Sequence, residues 1–146
     1  MSLANVFSIA GSGMSAQSIR LNATSSNIAN AETVSSSIDE TYRARYPVFA
    51  HAMNDAQEEG SLFEDQPKAV GAGVQVMGVV ESQEALQARY DPNHPMANEE
   101  GYVYYPNVNV VEQMADMISA SRSFQTNVDV LNTAKSMMQK VLTLGQ

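Results

Sequence analysis

Apolar residues recur at alternating steps of three and four along both ends of this chain, and all five prolines fall between Pro47 and Pro106. On a helix, that spacing makes a seam that needs a partner. At the N-terminal end the seam runs Leu3, Phe7, Ala10, Met14, Gln17, Leu21, Thr24, Ile28, Ala31. At the C-terminal end it runs Val110, Met114, Met117, Ser121, Phe124, Val128, Leu131, Lys135, Met138, Leu142. Gln17, Thr24, Ser121 and Lys135 interrupt the stripes, and polar seam residues fix register at some cost in stability. The pattern predicts a helix over residues 3–31, with Ser2 as its N-cap, and a second over 108–144, capped by Asn107 or Asn109. At 1.5 Å per residue they would span roughly 44 and 55 Å. Gly11 and Gly13 each cost the first helix about 1 kcal/mol relative to alanine. Alone it is marginal, so it is expected to zip lengthwise against the second.

A chain of 146 residues suits one ordinary domain, or a small domain with an extended element. It has no cysteine, so neither a disulfide framework nor a thiolate metal site is available. The net charge of -8 argues against nucleic acid or an anionic membrane surface as partner. Residues 1–31 carry Arg20 alone, residues 32–107 hold thirteen acidic and four basic side chains, and residues 108–146 hold three of each. Near-neutral ends can crowd beside other copies while the acidic middle stays solvated. No stretch approaches the roughly 18 apolar residues of a membrane span. The start, MSLANVFSIAGSGMSAQ, lacks the basic region and continuous apolar core of a cleavable signal peptide.

The fold class expected is mainly α with a small β part, the terminal helices paired as a coiled coil around a middle segment. Residues 1–32 and 107–146 are the paired helices, 33–70 an extended polar linker, and 71–106 a small β-hairpin region. In that region Val74 to Val80 and Tyr102 to Tyr105 are β-prone and separated by the turn-rich YDPNHPMANEEG, which predicts that they pair. Asn5, Asn22, Asn27, Asn30, Asn109, Asn127 and Asn132 set amides on or beside the helices. A buried amide must find partners, and the cluster near the end of the first helix points to an ordered junction.

Four segments carry a resemblance. SSNIANAET at 25–33 is similar to the N-terminal signature of flagellar rod and hook proteins, and YRARYPVF at 42–49 adds to it. YDPNHPMANEEGYVYYPNVNVVEQM at 90–114 and SRSFQTNVDVLNTAKSMMQKVLTLGQ at 121–146 resemble the proximal rod branch of that family. The resemblance implies a non-enzymatic subunit of the helical drive shaft that crosses the periplasm, transmits torque and encloses the export channel. It implies partners as well: copies of itself, other rod proteins, the MS-ring/rod adaptor at the base, and the flagellar type III export apparatus in transit. No cofactor, nucleic acid or membrane insertion is implied. Together with the seam, it nominates Leu3, Phe7, Met14, Leu21, Asn27, Ile28, Asn30, Val110, Met114, Met117, Phe124, Val128, Leu131, Met138 and Leu142 as assembly residues. Asp91, Pro92, His94, Pro95, Gly101, Tyr102, Pro106 and Asn107 form the hairpin motif. Met96 and Asn98 stand where the resemblance leads one to expect acidic residues.

Other patterns have weaker physical support. GSGMSA at 11–16 fits a loose nucleotide-binding spacing, yet no strand precedes it and it lies inside the stripe. Asp91, His94, Glu99 and Glu100 could form an acid-base or metal cluster, the basis of an enzyme reading, but their Pro- and Asn-rich setting marks a turn. Asn22-Ala23-Thr24 matches a glycosylation sequon in the middle of a helix. Met114, Met117, Met137 and Met138 suit a helix that packs in non-equivalent environments, or a soluble coiled-coil adaptor. On the seam reading, Phe124→Asp should abolish assembly and Asp116→Asn should be nearly silent.

Overall fold

A computed structural model describes residues 3–52 and 73–144. The elements run α1 (Leu3–Asn30), β1 (Arg45–His51), β2 (Val74–Glu81), β3 (Gln87–Tyr90), β4 (Tyr102–Tyr105) and α2 (Val110–Leu144). Ser2, the expected cap of α1, lies outside the described residues. Asn109 caps α2, its Oδ1 accepting from the backbone N–H groups of Val111 at 3.1 Å and Glu112 at 3.5 Å. No helix among the described residues is long and apolar enough to cross a membrane.

The two helices pack antiparallel. Asn27 meets Gln113, Arg20 meets Asp116, and Gly13 lies against the Asn127 amide. Val6 and Ala134 border one groove farther along. Val6, Gly13 and Asn27 thus advance by multiples of seven while Ala134, Asn127 and Gln113 retreat by the same steps. The inward column of α2 is Gln113, Met117, Ala120, Phe124, Asn127, Leu131 and Ala134, each buried or half-buried. On α1 it is Ala10, Gly13, Gln17, Arg20, Thr24 and Asn27.

The expected seam therefore needs a correction in one of its two columns on each helix. Met117, Phe124 and Leu131 face inward as expected, with Ala10, Gln17 and Thr24. In the other column Gly13, Arg20 and Asn27 contact α2 beside the half-buried Met14, Leu21 and Ile28, while on α2 Gln113 and Ala120 are buried where Met114 and Ser121 are exposed. Small and amide-bearing residues such as Gly13 and Ala120 let the backbones approach. Met114, Ser121, Lys135, Met138 and Leu142 are exposed.

The opposite flank of α1 carries a two-stranded antiparallel ribbon, β1 with β2. Arg45, at one end, is bonded to Asn27; Val74, at the other, donates its N–H to Ser12 Oγ at 3.1 Å. Fifteen helical residues and seven strand residues both span about 23 Å, so the ribbon lies along the helix. Ala16 and Ala23, outside the column facing α2, are buried. Gly73 abuts Ser12 so closely that a side chain there would collide with the hydroxyl. Val48 faces Gly78 and Phe49 faces Val76, leaving Met77 as a bulged, exposed residue.

Two expectations for the middle are overturned. Arg45–His51, placed in the linker, is a strand, and Val74–Glu81 pairs with it instead of with Tyr102–Tyr105. The hairpin partner of β4 is Gln87–Tyr90, whose Gln, Ala and Arg give little β signal. Ser35 adds a bridge on the other edge of β4, exchanging hydrogen bonds of 3.1 and 2.9 Å with Tyr104. Residues 53–70 of the expected linker lie outside the described residues. Ala44, Val103, Pro106 and Val108 form the buried centre of this end.

Candidate functional site

The described residues with the densest set of buried polar bonds sit where α1, α2 and β1 meet. Asn27 is fully buried. Its Nδ2 donates to Arg45 O at 3.0 Å and to Gln113 Oε1 at 2.9 Å. Its Oδ1 accepts from Arg45 N at 2.9 Å and from the Tyr42 hydroxyl at 2.9 Å. A carboxamide offers two donors and two acceptor sites, and all four are used. Gln113, also fully buried, completes the chain by donating from Nε2 to Tyr46 Oη at 3.3 Å. Burial pushes the Tyr46 phenol above its ordinary value, the Glu112 carboxylate adds to this, and the bond from Gln113 opposes it.

Asn30, the second asparagine of the motif, terminates the helix instead. Its Nδ2 donates to Ser26 O at 2.8 Å and its carbonyl accepts from Thr33 N at 3.1 Å and Thr33 Oγ1 at 2.7 Å. Asn107 staples the loops beside the junction: its Oδ1 accepts from Ala44 N at 2.9 Å and its Nδ2 donates to Glu84 O at 3.1 Å. Arg43 reaches the same loop through Ser82 O at 3.3 Å and Glu84 O at 3.4 Å. These bonds tie the middle segment to the helix pair.

The hairpin motif is a built turn. Asp91 Oδ1 accepts from Asn93 N at 3.3 Å, and His94 Nδ1 accepts from Met96 N at 3.1 Å, so both side chains are engaged by their own loop. Asn98 Oδ1 accepts from Glu100 N at 3.0 Å and Tyr102 N at 2.8 Å, the bonds that turn the chain into β4. Gly101 has φ +82°, and a Cβ there would sit 2.9 Å from the Tyr90 ring and 3.2 Å from Pro92 Cβ, so only glycine fits. Tyr102 meets Tyr90 edge to face at 5.4 Å. Pro92 and Pro95 are exposed and Pro106 is buried.

Of the nominated assembly residues, Phe7, Met14, Leu21, Ile28, Val110, Met117, Phe124, Val128 and Leu131 are half-buried, and Met114, Met138 and Leu142 are exposed. Leu3 begins α1. The structure adds Arg20, Tyr42, Arg45, Tyr46 and Gln113, which sequence reasoning did not single out individually. Gln113 could have been found by extending the Ala120 and Asn127 column one heptad back.

The sequence comparisons agree with this architecture. Residues 7–34 match the family of flagella basal body rod proteins, and residues 99–144 match the flagellar basal body rod FlgEFG protein C-terminal family. These two segments contain most of α1 and all of α2. The chain is 49% identical to the flagellar basal-body rod protein FlgC of Escherichia coli O6:H1 over 146 residues, covering all of both chains. It is 47% identical to FlgC of Salmonella typhimurium over 146 residues, again covering all of both. With FlgC of Borreliella burgdorferi it shares 36% identity over 151 residues, covering all of this chain and 99% of the relative. With full-length similarity on this scale, the chain belongs to the flagellar basal-body rod protein FlgC family.

Proposed function

We propose that this chain is a structural subunit of the proximal rod in the flagellar basal body, where its terminal helices act as an antiparallel coiled coil. Residues 1–32 and 107–146 form the polymerising part, and the strands β1 to β4 between them are held to it at the Asn27 junction. The subunit joins copies of itself and other rod proteins, rests on the MS-ring/rod adaptor, and contributes to a shaft that transmits torque around the export channel. It reaches that position through the flagellar type III export apparatus, and engages neither nucleic acid nor the membrane interior. The observation that supports this most directly is the apolar surface α2 leaves uncovered: Val111, Met114, Ile118, Met137, Val141 and Leu142 are all more than half exposed. Large apolar groups left in water along one helix mark a surface completed by other molecules.

Two measurements test the reading. The chain should be present in purified basal bodies and should restore motility to cells lacking their own proximal rod subunit. As a dilute monomer it should be trimmed by protease at both termini, because helices of moderate propensity need neighbours. Resistance of residues 3–31 in a proven monomer would count against it, as would absence from basal bodies.

A further inference from the structure

Tyr46 joins the β1–β2 ribbon to the start of α2, its Oη accepting from Gln113 Nε2 at 3.3 Å. In the ribbon Tyr46 stands opposite Val80, and Val48 stands opposite Gly78, which has no side chain to cover it. Opposed and alternate residues share a face, so Val48 and Val80 lie on the face that carries Tyr46. Val79, opposite Pro47, lies on the other face. Val48 and Val80 are exposed. On α2, Val111 and Met114 flank Gln113 and are both more than half exposed. Apolar side chains are thus left in water on either side of the Tyr46–Gln113 contact.

The charge beside this surface has one sign. Burial raises the Tyr46 phenol most, and the Glu112, Glu84 and Asp116 carboxylates raise it further, so all three act on the same ring. Asp116 is neutralised by Arg20 at 2.9 Å. Glu84 and Glu112 are exposed and enter no ion pair among the described residues. The nearby cations are already engaged: Arg45 holds Glu81 at 3.0 Å, and Arg43 donates to the carbonyl oxygens of Ser82 and Glu84.

We propose that this surface, Val48 and Val80 on the ribbon with Val111 and Met114 on α2, receives an apolar segment of a different protein that carries lysine or arginine. The apolar groups supply contact area, and Glu84 and Glu112 select cationic side chains. A second copy is the poorer occupant, because with a net charge of -8 it brings the same excess of acid to the contact. Pro47 in β1 and the bulge at Met77 in β2 blunt the ribbon edges, so the segment meets a face and does not add a strand. The inference rests on the rod-subunit reading for the place where the partner is met, and it names the partner's chemistry.

The test places the photo-cross-linking amino acid benzoylphenylalanine at Val80 and, in a parallel strain, at Val79. The two positions are 52% and 49% exposed on opposite faces of one strand, so the fold should accept either replacement and the pair separates the faces. Whole cells in which each variant replaces the parent chain are irradiated, and the adducts are identified by mass spectrometry. At Val80 the expected product is an adduct with another protein, through a peptide of apolar residues with lysine or arginine, whereas Val79 should give little. Adding Glu84→Gln and Glu112→Gln should lower the Val80 yield about threefold. Equal yields at the two positions would overturn the proposal, as would an adduct to a second copy of the chain or to a peptide without a basic residue. So would a Val80 yield indifferent to the two Gln substitutions, or a folded chain that gives no adduct at Val80. A Val80 adduct of the expected kind from a chain absent from basal bodies would instead remove the rod role and leave this contact standing.

Discussion

Asn27 pairs with Arg45 as a neighbouring strand would: its side-chain amide satisfies both the N–H and the C=O of that residue, at 2.9 and 3.0 Å. A helix side chain thereby supplies the bonds that start β1, and the same amide reaches Gln113 on α2. Truncation to alanine would orphan backbone and side-chain groups in a dry site. Asn27→Ala should cost about 2–4 kcal/mol in urea unfolding of the full chain. Asn27→Asp should be at least as damaging, because it buries a carboxylate where two acceptors expect a donor. A loss under 1 kcal/mol in either variant would show that the junction is dispensable.

The ion pair between Arg20 and Asp116, 2.9 Å long with each side chain about one-third exposed, changes the expectation for Asp116→Asn. Instead of being silent, the substitution should cost up to about 1 kcal/mol, less at high salt because exposed pairs are screened. A double-mutant cycle with Arg20→Gln measures the coupling directly, and zero coupling at low salt would remove the pair from the account.

Two glycines of α1 should respond differently to alanine. A Cβ at Gly11 meets nothing within 4 Å, so Gly11→Ala should stabilise the helix by about 0.5–1 kcal/mol. At Gly13 the new methyl would lie 3.0 Å from Asn127 Nδ2, so the propensity gain is offset by crowding of the seam. Equal gains at both sites, measured by thermal unfolding, would argue that the helices are not in close approach at Gly13.

Tyr46 provides a pH signature. Its phenol is held protonated above the ordinary value of about 10, so the native state retains a proton that the unfolded state has released. The corresponding stability is complete below pH 10 and declines as pH rises through the folded value. Absorbance titration should show a late-ionising phase, and Tyr46→Phe should remove that phase. A titration unchanged by the substitution would contradict the half-buried position beside Gln113.

Phe124 occupies the column that both the spacing and the packing place inward. Phe124→Asp should unzip the helix pair, seen as loss of helical signal and of incorporation into basal bodies, by setting an unpaired carboxylate against α1. Retained incorporation would displace Phe124 from the seam.

The helices themselves were legible from the sequence. Proline is confined to the middle, and Asn109 and the periodic apolar residues fix where α2 begins and how far it runs. The turn from Asp91 to Gly101 was legible too, because Pro, Asn and Gly impose backbone angles locally. What only the tertiary structure decided is which neighbour of each periodic position faces inward. Met14 and Gly13, or Met114 and Gln113, fit the same spacing, and the choice falls to the smaller or amide-bearing residue because the two backbones approach closely. The strand pairing was likewise beyond the sequence: Val74–Glu81 had a plausible mate in Tyr102–Tyr105, but Asn27 holds Arg45, and Ser12 holds Val74, on one flank of α1. Local periodicity is written in neighbouring residues, whereas register between distant segments depends on shape and on where buried amides find their bonds.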